Sequence, residues 1–464
     1  MLSLMLLAAS VGVAAEPATS AHWPGFRGDG SSTSAAKDLP VTWSPDENVA
    51  WRTTISGYGQ SSPVIWGDRA FVAAIDGEQK EKLIVVAVDL KTGTVAWRKE
   101  FASTLKGKNN PMMSRAAPTP VVDADGVYAM FESGDAVALT HTGTLRWKRS
   151  LSGDYGAFKN NHGIGSSPTQ TAGAVVVLID DLGASYLVAL DKATGKNLWK
   201  TDRASCTSWT SPIVASVGGR STVLVSSNGS VNAYDAGTGK EFASLDGLSG
   251  NTIPSPTASG NLMVIGAGEN RTKLDLAASA NSNCCLRLNL AGDKPVFETV
   301  WQGKKAISHH ASPLIYEGHV YFVTKTGFVH CVDLKTGEER YAERLANPTW
   351  ATPVGAGGCV YFFGKDGVTT VLKAGAKYEK LATNRLWAAD SFAARQEQAR
   401  KIAAETMPKR PEGKGPGGGP PLPKEELEAA RNSAVGDVVY GVAVGERTFL
   451  IRTGTELICI RQSK

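Results

Sequence analysis

The stretch from residue 88 to residue 97 is the unit from which most of this sequence is built. An apolar run enters a short polar turn, and a second apolar run leaves it and ends on a tryptophan. Asp89 can accept hydrogen bonds from the backbone two residues further on, and Gly93 tolerates the positive φ that a tight hairpin needs. The stretch therefore predicts a β-hairpin whose last large side chain, Trp97, packs on a neighbouring copy.

The same spacing returns several times along the chain. The aspartate, glycine and aromatic positions recur as Asp191, Gly195 and Trp199, as Asp333, Gly337 and Tyr341, and without the aromatic as Asp235, Gly239 and Ala243. Gly143 and Trp147 preserve only the second half of the unit. One sheet per copy cannot bury both of its faces alone, so the repeats must stack on one another.

Each repeat opens with a small residue followed by proline. The seven steps are Ser62-Pro63, Ala117-Pro118, Ser167-Pro168, Ser211-Pro212, Ser255-Pro256, Ser312-Pro313 and Thr352-Pro353. An apolar run, a turn containing glycine and a second apolar run follow each step and lead into the hairpin. Four strands per repeat, at a spacing of 40 to 57 residues, are typical of propeller blades.

The two ends of the sequence complement each other. Residues 48–52 repeat the final strand of the first unit, although no complete unit precedes them. The last unit opens with residues 441–449, which match residues 63–71, and it has no fourth strand after residues 457–460. Pairing the spare strand with the incomplete unit removes two open sheet edges. We therefore predict an all-β, eight-bladed β-propeller of four-stranded blades that is closed by its N-terminal strand.

Two segments fall outside this pattern. Residues 1–15 are apolar and end in small residues, which predicts a signal peptide cleaved before Glu16 and a periplasmic or secreted protein. Residues 16–464 are then expected to form one propeller domain. It is interrupted before the last blade by an insertion at 388–432 with two short helices around a Pro- and Gly-rich middle. We expect this insertion to be partly disordered, with a partner-binding arm as the alternative.

Charge and cysteine usage exclude some classes of function. A formal net charge of +5 over 464 residues, without a basic block or interleaved aromatic and basic residues, argues against nucleic acid as a partner. No apolar run reaches the length of a transmembrane helix. Cys331, Cys359 and Cys459 lie in apolar runs and are expected to be buried thiols. No cysteine spacing suggests zinc, so we predict no metal site, and we expect a monomer.

The signature Ala-x-Asp-x-x-Thr-Gly-x-x-x-Trp at residues 87–97 resembles the tryptophan-docking repeat of the PQQ-like β-propeller family. The resemblance covers nearly all of residues 23–460 apart from the insertion. It implies one of two kinds of protein. Quinoprotein dehydrogenases hold pyrroloquinoline quinone (PQQ) and calcium in the central channel, whereas non-enzymatic members such as the outer-membrane protein assembly factor act as scaffolds.

The pair Cys284-Cys285 bears on the choice between these two kinds. The resemblance implies that a quinoprotein alcohol dehydrogenase would stack a disulfide of adjacent cysteines on the quinone. Here the pair begins a predicted third strand, whose successive side chains point to opposite faces, so we expect two separate thiols. The connecting loops carry few carboxylates, Asp154 among them, although calcium needs several oxygen ligands. We predict no cofactor, with PQQ and calcium as the alternative.

The loops that precede the small-residue–proline steps are expected to meet at one mouth of the channel. Their polar and aromatic side chains form a candidate ligand site made of Tyr58, Gln60, Asn110, Arg115, Asn161, His162, Trp209, His309, His310 and Trp350. The alternative is that these side chains only hydrate the mouth. Among them Arg115 suits an anion, the histidines suit a proton or a soft metal, and the two tryptophans suit a ring or a sugar.

These observations favour an exported, non-enzymatic propeller that acts as a binding or protein-interaction scaffold in the bacterial cell envelope. Its partner would be an envelope protein or a small ligand. Two alternatives remain: a PQQ-dependent dehydrogenase, and a small-ligand-binding or hydrolytic propeller that uses the mouth loops.

Overall fold

The computed structural model describes residues 22–462, with gaps at 110–112, 161, 271–274, 292–293 and 306 and through most of 392–437. The predicted signal peptide, two of the candidate site residues (Asn110 and Asn161) and the greater part of the insertion lie outside the described residues. In the described part of the chain, no helix is both long and apolar enough to cross a membrane.

Eight blades of four antiparallel strands follow one another, which confirms the predicted fold class, and the sheet of the seventh blade gains one further strand. Two strands precede the first blade, β1 (Thr33–Ser34) and β2 (Val49–Thr54). Blade 1 contains β3 (Val64–Trp66), β4 (Arg69–Asp76), β5 (Lys82–Asp89) and β6 (Val95–Ala102). Blade 2 contains β7 (Val121–Val122), β8 (Val127–Met130), β9 (Asp135–Leu139) and β10 (Leu145–Ser150), after which comes the short helix α1 (Leu151–Tyr155). Blade 3 contains β11 (Thr169–Gln170), β12 (Ala174–Ile179), β13 (Ser185–Asp191) and β14 (Asn197–Arg203).

The remaining blades continue in the same order. Blade 4 contains β15 (Ile213–Val217), β16 (Arg220–Ser227), β17 (Ser230–Asp235) and β18 (Glu241–Asp246). Blade 5 contains β19 (Thr257–Ser259), β20 (Leu262–Ile265), β21 (Cys284–Asn289) and β22 (Val296–Gln302), with the helix α2 (Leu276–Asn281) before β21. Blade 6 contains β23 (Leu314–Tyr316), β24 (His319–Val323), β25 (Phe328–Asp333) and β26 (Glu339–Arg344). Blade 7 contains β27 (Val354–Ala356), β28 (Cys359–Phe363), β29 (Val368–Lys373) and β30 (Lys380–Arg385), and blade 8 contains β31 (Gly441–Gly445), β32 (Thr448–Arg452) and β33 (Glu456–Arg461).

The N-terminal strand completes the last blade, as predicted. Strand β2 pairs antiparallel with β33, in the order β2-β33-β32-β31. The hairpin that opens blade 8 corrects the predicted alignment by one residue. Gly445 pairs with Thr448 as Trp66 pairs with Arg69, so Gly441 occupies the position of Ser62 and not that of Pro63.

The repeated aspartate and glycine shape the turn before the fourth strand of blades 1, 3, 4 and 6. The Asp89 carboxylate accepts hydrogen bonds from the backbone N–H groups of Lys91 at 3.0 Å and Thr92 at 2.8 Å, and these bonds lower its pKa. Gly93 has φ 75°, and a Cβ there would lie 2.5 Å from the ring of Trp51 in blade 8. The glycine thus both forms the turn and admits the tryptophan of the preceding blade. The same two features are seen at Asp191 with Gly195 and at Asp333 with Gly337.

The tryptophans connect neighbouring blades. Trp97 donates its indole N–H to the His141 carbonyl of blade 2 at 2.8 Å. Four other indoles make the equivalent bond to the next blade, from Trp51, Trp147, Trp199 and Trp301 to the carbonyls of Leu90, Lys192, Ala236 and Leu334. Blades 4 and 7 carry Ala243 and Ala382 at this position and make no such bond.

A ring of hydroxyl groups surrounds the channel at the start of the first strands. In each step the backbone N–H of one blade donates to the hydroxyl at the same position of the next blade, which we call the hydroxyl ring. The bonds run from Ser62 to Thr119, Thr119 to Ser167, Ser167 to Ser211, Ser211 to Ser255, Ser255 to Ser312 and Ser312 to Thr352, at 2.8–3.2 Å. Blade 2 therefore opens with Thr119-Pro120 and not with the predicted Ala117-Pro118. The ring ends at Gly441, which has no hydroxyl.

The segment 22–46 crosses the channel on one side of the hydroxyl ring, and we call it the plug. Trp23 exchanges two 2.9 Å backbone hydrogen bonds with Ile65 of blade 1. Arg27, only 3 % exposed, reaches Pro256 and Thr257 of blade 5, which lies opposite blade 1 in a ring of eight. Strand β1 then pairs in parallel with β27 of blade 7. Because the plug contacts first strands on opposite sides of the ring, it closes this end of the channel.

Candidate functional site

The loops before the first strands meet on the other side of the hydroxyl ring, and we call their common surface the mouth. Hydrogen bonds join the loops of blades 2 to 5 directly. Ser114 donates its backbone N–H to the His162 carbonyl at 2.7 Å, and the Trp209 indole donates to the Gly163 carbonyl at 3.0 Å. The backbone N–H of Trp209 donates to the carbonyl of Thr252 at 2.7 Å. The ring centroids of His162 and Trp209 are 5.8 Å apart, so these two predicted residues do meet.

Side-chain contacts join the loops of blades 2, 1, 8, 7 and 6 in that order. The Arg115 guanidinium lies 3.5 Å from the ring centroid of Tyr58. The hydroxyls of Tyr58 and Tyr440 are hydrogen-bonded at 2.7 Å. The Tyr440 ring lies 6.0 Å from Trp350, and Trp350 lies 5.4 Å from His310. We call this continuous line of five side chains the arc.

Lys365 completes the arc, and the sequence analysis missed it. It lies in the turn between β28 and β29, and its backbone is held at the mouth by hydrogen bonds with Pro348 at 2.9 Å and Val439 at 3.0 Å. Its Nζ sits 3.6 Å from the ring centroid of Trp350. Burial lowers the pKa of Lys365 to about 7, because a low-dielectric environment disfavours the charged form. This turn joins a second strand to a third strand, so the prediction that loops before first strands form the mouth does not include it.

The two adjacent histidines have different surroundings. His309 Nδ1 accepts a 3.3 Å hydrogen bond from the backbone N–H of Lys325, and its Nε2 is 3.8 Å from Glu269, which also forms a 2.9 Å ion pair with Lys325. His310 is lowered in pKa to about 4, first by burial and then by the charges of His309 and Lys365. Its imidazole is therefore neutral at pH 7. Within the described part of the chain, His310 Nδ1 is buried without a hydrogen-bond partner.

Two arginines lie beside the tyrosine pair. Arg115 is 8 % exposed, and Gln60 holds its backbone with hydrogen bonds of 2.8 and 3.0 Å, so Gln60 positions the loop. Arg452, at the end of β32, is fully buried and donates one 3.3 Å hydrogen bond to the Gly454 carbonyl. Burial lowers the pKa of Arg452 to about 10. The sequence did not point to Tyr440, which comes after the insertion, or to Arg452, which ends a second strand and does not belong to a loop before a first strand.

The structure thus brings eight predicted site residues to one face of the propeller. Their role in ligand binding stays a prediction. The eight are Tyr58, Gln60, Arg115, His162, Trp209, His309, His310 and Trp350. Two small cavities, of about 280 and 220 Å³, lie elsewhere, between the outer strands of blades 2 and 3 and beside residues 29–31 of the plug.

The cysteine pair does not fit a quinone-stacking role. Cys284 packs in the core between blades 4 and 5, and Cys285 packs in the core between blades 5 and 6. The two side chains lie on opposite faces of β21, as predicted, and away from the channel. Among the residues that the structure describes, no group of three or more His, Cys, Asp or Glu side chains is arranged to hold a metal ion. Cys331, Cys359 and Cys459 are buried, as predicted.

Comparisons with known proteins agree with this architecture. A search of curated proteins found an outer membrane protein assembly factor BamB from Burkholderia pseudomallei, 27% identical over 52% of this chain and 60% of that protein. A polyvinylalcohol dehydrogenase from a Pseudomonas species is 29% identical over 34% of this chain and 25% of its own length. The chain therefore spans less than two thirds of these relatives.

A solved structure and a family model extend the comparison over most of the chain. The crystal structure of BamB from Moraxella catarrhalis superposes with a TM-score of 0.56 at 13% identity, covering 90% of this chain and 97% of that one. The family model described as outer membrane protein assembly factor BamB matches residues 12–178, 183–280 and 291–408. With its repeats, its eight blades and this match over most of its length, the chain belongs to that family of PQQ-like propellers.

Proposed function

We propose that this protein is exported to a bacterial cell envelope, where it works as a non-enzymatic scaffold that binds a protein partner through the mouth. Its family and its similarity to outer membrane protein assembly factors support the envelope and the scaffold role. The observation that carries the choice of the mouth is the arc, which presents aromatic and cationic side chains from five blades as one surface.

The chemistry of the arc suits a protein interface. Tyr, Trp and Arg side chains carry much of the binding energy at protein interfaces, because they offer large contact areas and directed polar groups. Tyr58, Tyr440 and Trp350 are each partly exposed. The hydrogen bonds and ring contacts between loops fix the surface before a partner arrives, which lowers the entropy lost on binding.

Site-specific photo-crosslinking in the native host tests this proposal. A photoreactive amino acid replaces His162, which is exposed at the mouth, or Leu198, which is 54% exposed on the outer strand of blade 3. We expect an adduct with one defined envelope protein from position 162 and none from position 198. Adducts that form equally from both positions, or only from position 198, would move the interface to the outer strands.

A quinoprotein dehydrogenase is the second candidate, and the similarity to polyvinylalcohol dehydrogenase favours it. Titrating the purified protein with PQQ and Ca²⁺ while recording the quinone absorbance tests it. We expect the spectrum of free quinone throughout. A bound-quinone spectrum would favour the enzyme.

A small-ligand site at the mouth is the third candidate, and the same arc favours it. A thermal-shift screen with metals, sugars and short peptides compares the wild type with the double variant Arg115→Ala, His309→Ala. A compound that raises the melting temperature of the wild type but not of the double variant would support a small-ligand site at the mouth.

A further inference from the structure

Three largely buried cations of this protein have a carboxylate partner. Lys80 lies 3.2 Å from Glu132. Arg203 pairs with Asp180 at 3.1 Å, and Lys192 pairs with Asp123 at 2.5 Å. These pairs follow the general rule that a charge is removed from water only together with its counter-charge.

Other cations have no such partner in the described part of the chain. Arg27, on the plug side, is held instead by two 2.6 Å hydrogen bonds, and three more lie at the mouth. Arg115, Arg452 and Lys365 form no ion pair with any carboxylate in the described ranges, and burial is the one cause that shifts the pKa of Lys365. The two arginines also lack hydrogen-bond partners at some of their nitrogens. Arg115 Nε and both Nε and Nη1 of Arg452 are buried without a partner in the same part of the chain. An uncompensated buried charge is costly, so the two buried arginines and the partly buried Lys365 at this end of the channel need an explanation.

The three cations share one surface through the aromatic rings of the arc. Arg115 lies on Tyr58, Arg452 lies beside Tyr58 and Tyr440, and Lys365 lies on Trp350. Cation–π contacts keep Arg115 and Lys365 in place without neutralising their charge. Positive charges held at a partly water-excluded surface attract an anion more strongly than the same charges in bulk water.

We propose that the mouth binds a carboxylate-rich segment of a protein, with Lys365 as the direct ion partner and Trp350 and Tyr440 as the apolar platform beneath the segment. The inference rests on the proposed function, since it takes the occupant to be a protein. Charge complementarity favours an acidic segment. The nearby carboxylate of Glu269 already forms an ion pair with Lys325, so a carboxylate that compensates the three cations would come from the partner. Cations that lie on aromatic rings suit a segment that carries both acidic and apolar side chains.

A peptide-binding experiment tests the inference on the full-length protein. The probe is a fluorescein-labelled decapeptide of alternating Glu and Tyr, the control probe has Gln in place of Glu, and the readout is fluorescence anisotropy. We expect the Glu probe to bind at least tenfold more tightly than the Gln probe. Equal affinity for the two probes would overturn the inference.

Two lysines of blade 7 supply matched variants. Lys365→Met should weaken binding of the Glu probe at least tenfold. Lys373→Met should leave it unchanged, since Lys373 is largely exposed and pairs with Glu379 at 3.2 Å on the same blade. If both variants lose the same affinity for the Glu probe, the effect comes from net charge alone, and Lys365 is not the direct ion partner. Circular dichroism melting of both variants checks that each is folded.

Citrate distinguishes a peptide site from a site for small carboxylates. We expect citrate to displace the Glu probe only at much higher carboxylate concentration than an unlabelled Glu-Tyr peptide does. Displacement at equal concentration would overturn the peptide part of the inference. The crosslink from position 162 reports separately on the proposed function: it persists if only the acidic chemistry is wrong, and it disappears if the scaffold proposal is wrong.

Discussion

The two sides of the channel each bury an arginine, and the two arginines differ in how their hydrogen bonds are satisfied. On the plug side, Arg27 donates two 2.6 Å bonds, to the Thr257 hydroxyl and the Pro256 carbonyl. On the mouth side, Arg452 donates a single 3.3 Å bond to Gly454. Burial lowers the pKa of both guanidinium groups. Burial alone therefore does not identify a structural arginine. Nε is buried without a hydrogen-bond partner in both residues within the described part of the chain, but the other nitrogens of Arg27 make two short bonds, whereas those of Arg452 make one long bond.

Removing the plug side altogether should have the largest effect. A variant lacking residues 16–54 loses both the plug and β2, so the edge of β33 is exposed and free to pair with other chains. We expect aggregation or a large loss of melting temperature. The control variant lacks residues 408–423, which lie in the insertion and outside every described strand, and it should melt like the wild type. A truncated protein that remains monomeric with unchanged melting would contradict the closed ring.

Exchanging single arginines sharpens the comparison. Arg27→Met leaves the Pro256 carbonyl without its donor and should lower the free energy of unfolding by about 2–3 kcal/mol. Arg452→Met removes a buried charge that has only one long hydrogen bond, and it should change the same quantity by less than about 1 kcal/mol. Urea denaturation of both variants measures the difference. Similar losses in the two would show that both arginines are structural.

Lys365→Met gives a smaller effect with a distinctive dependence on pH. The pKa of Lys365 is about 7 in the folded protein, against 10.5 ordinarily. The unfolded chain therefore binds the proton more tightly, and this group makes the wild type less stable as the pH falls from 10.5 to about 7. The variant should be more stable by ~1–2 kcal/mol near pH 7, and the advantage should vanish above pH 10.5. Lys373→Met should show no such trend. If the free energies of unfolding of Lys365→Met and the wild type differ by the same amount at all pH values, the lowered pKa of Lys365 is wrong.

The smallest expected effect is at the cysteine pair, away from both ends of the channel. Burial raises the pKa of both Cys284 and Cys285 to about 12, which leaves almost no thiolate at neutral pH. We expect negligible alkylation of the native protein at pH 7.5 and complete alkylation after unfolding. A peptide map of the unreduced protein should contain both as free thiols. A bond between them would contradict this expectation and place redox chemistry in blade 5.

The blades could be predicted because their signals are local. Asp89 and Gly93 determine a turn within five residues of sequence, and a repeated turn determines a repeated sheet. The plug could not be predicted, because Arg27 meets Thr257 across 230 residues and residues 22–46 have no periodicity. At the mouth, the repeat predicts that the loops converge. The position of Lys365 depends instead on which hairpin turn packs against Trp350. Sequence spacing does not contain that information.

The pairing of β2 with β33 has a consequence for biosynthesis. Val49 and its partner Ile460 are separated by almost the whole chain, so the first outer strand to leave the ribosome is among the last to find its neighbour. Until then each of the two strands keeps an open edge, and closing so large a loop makes non-local pairing slow. Every newly made molecule thus passes through an unclosed ring, in which the edges of β2 and β33 can still pair with other chains.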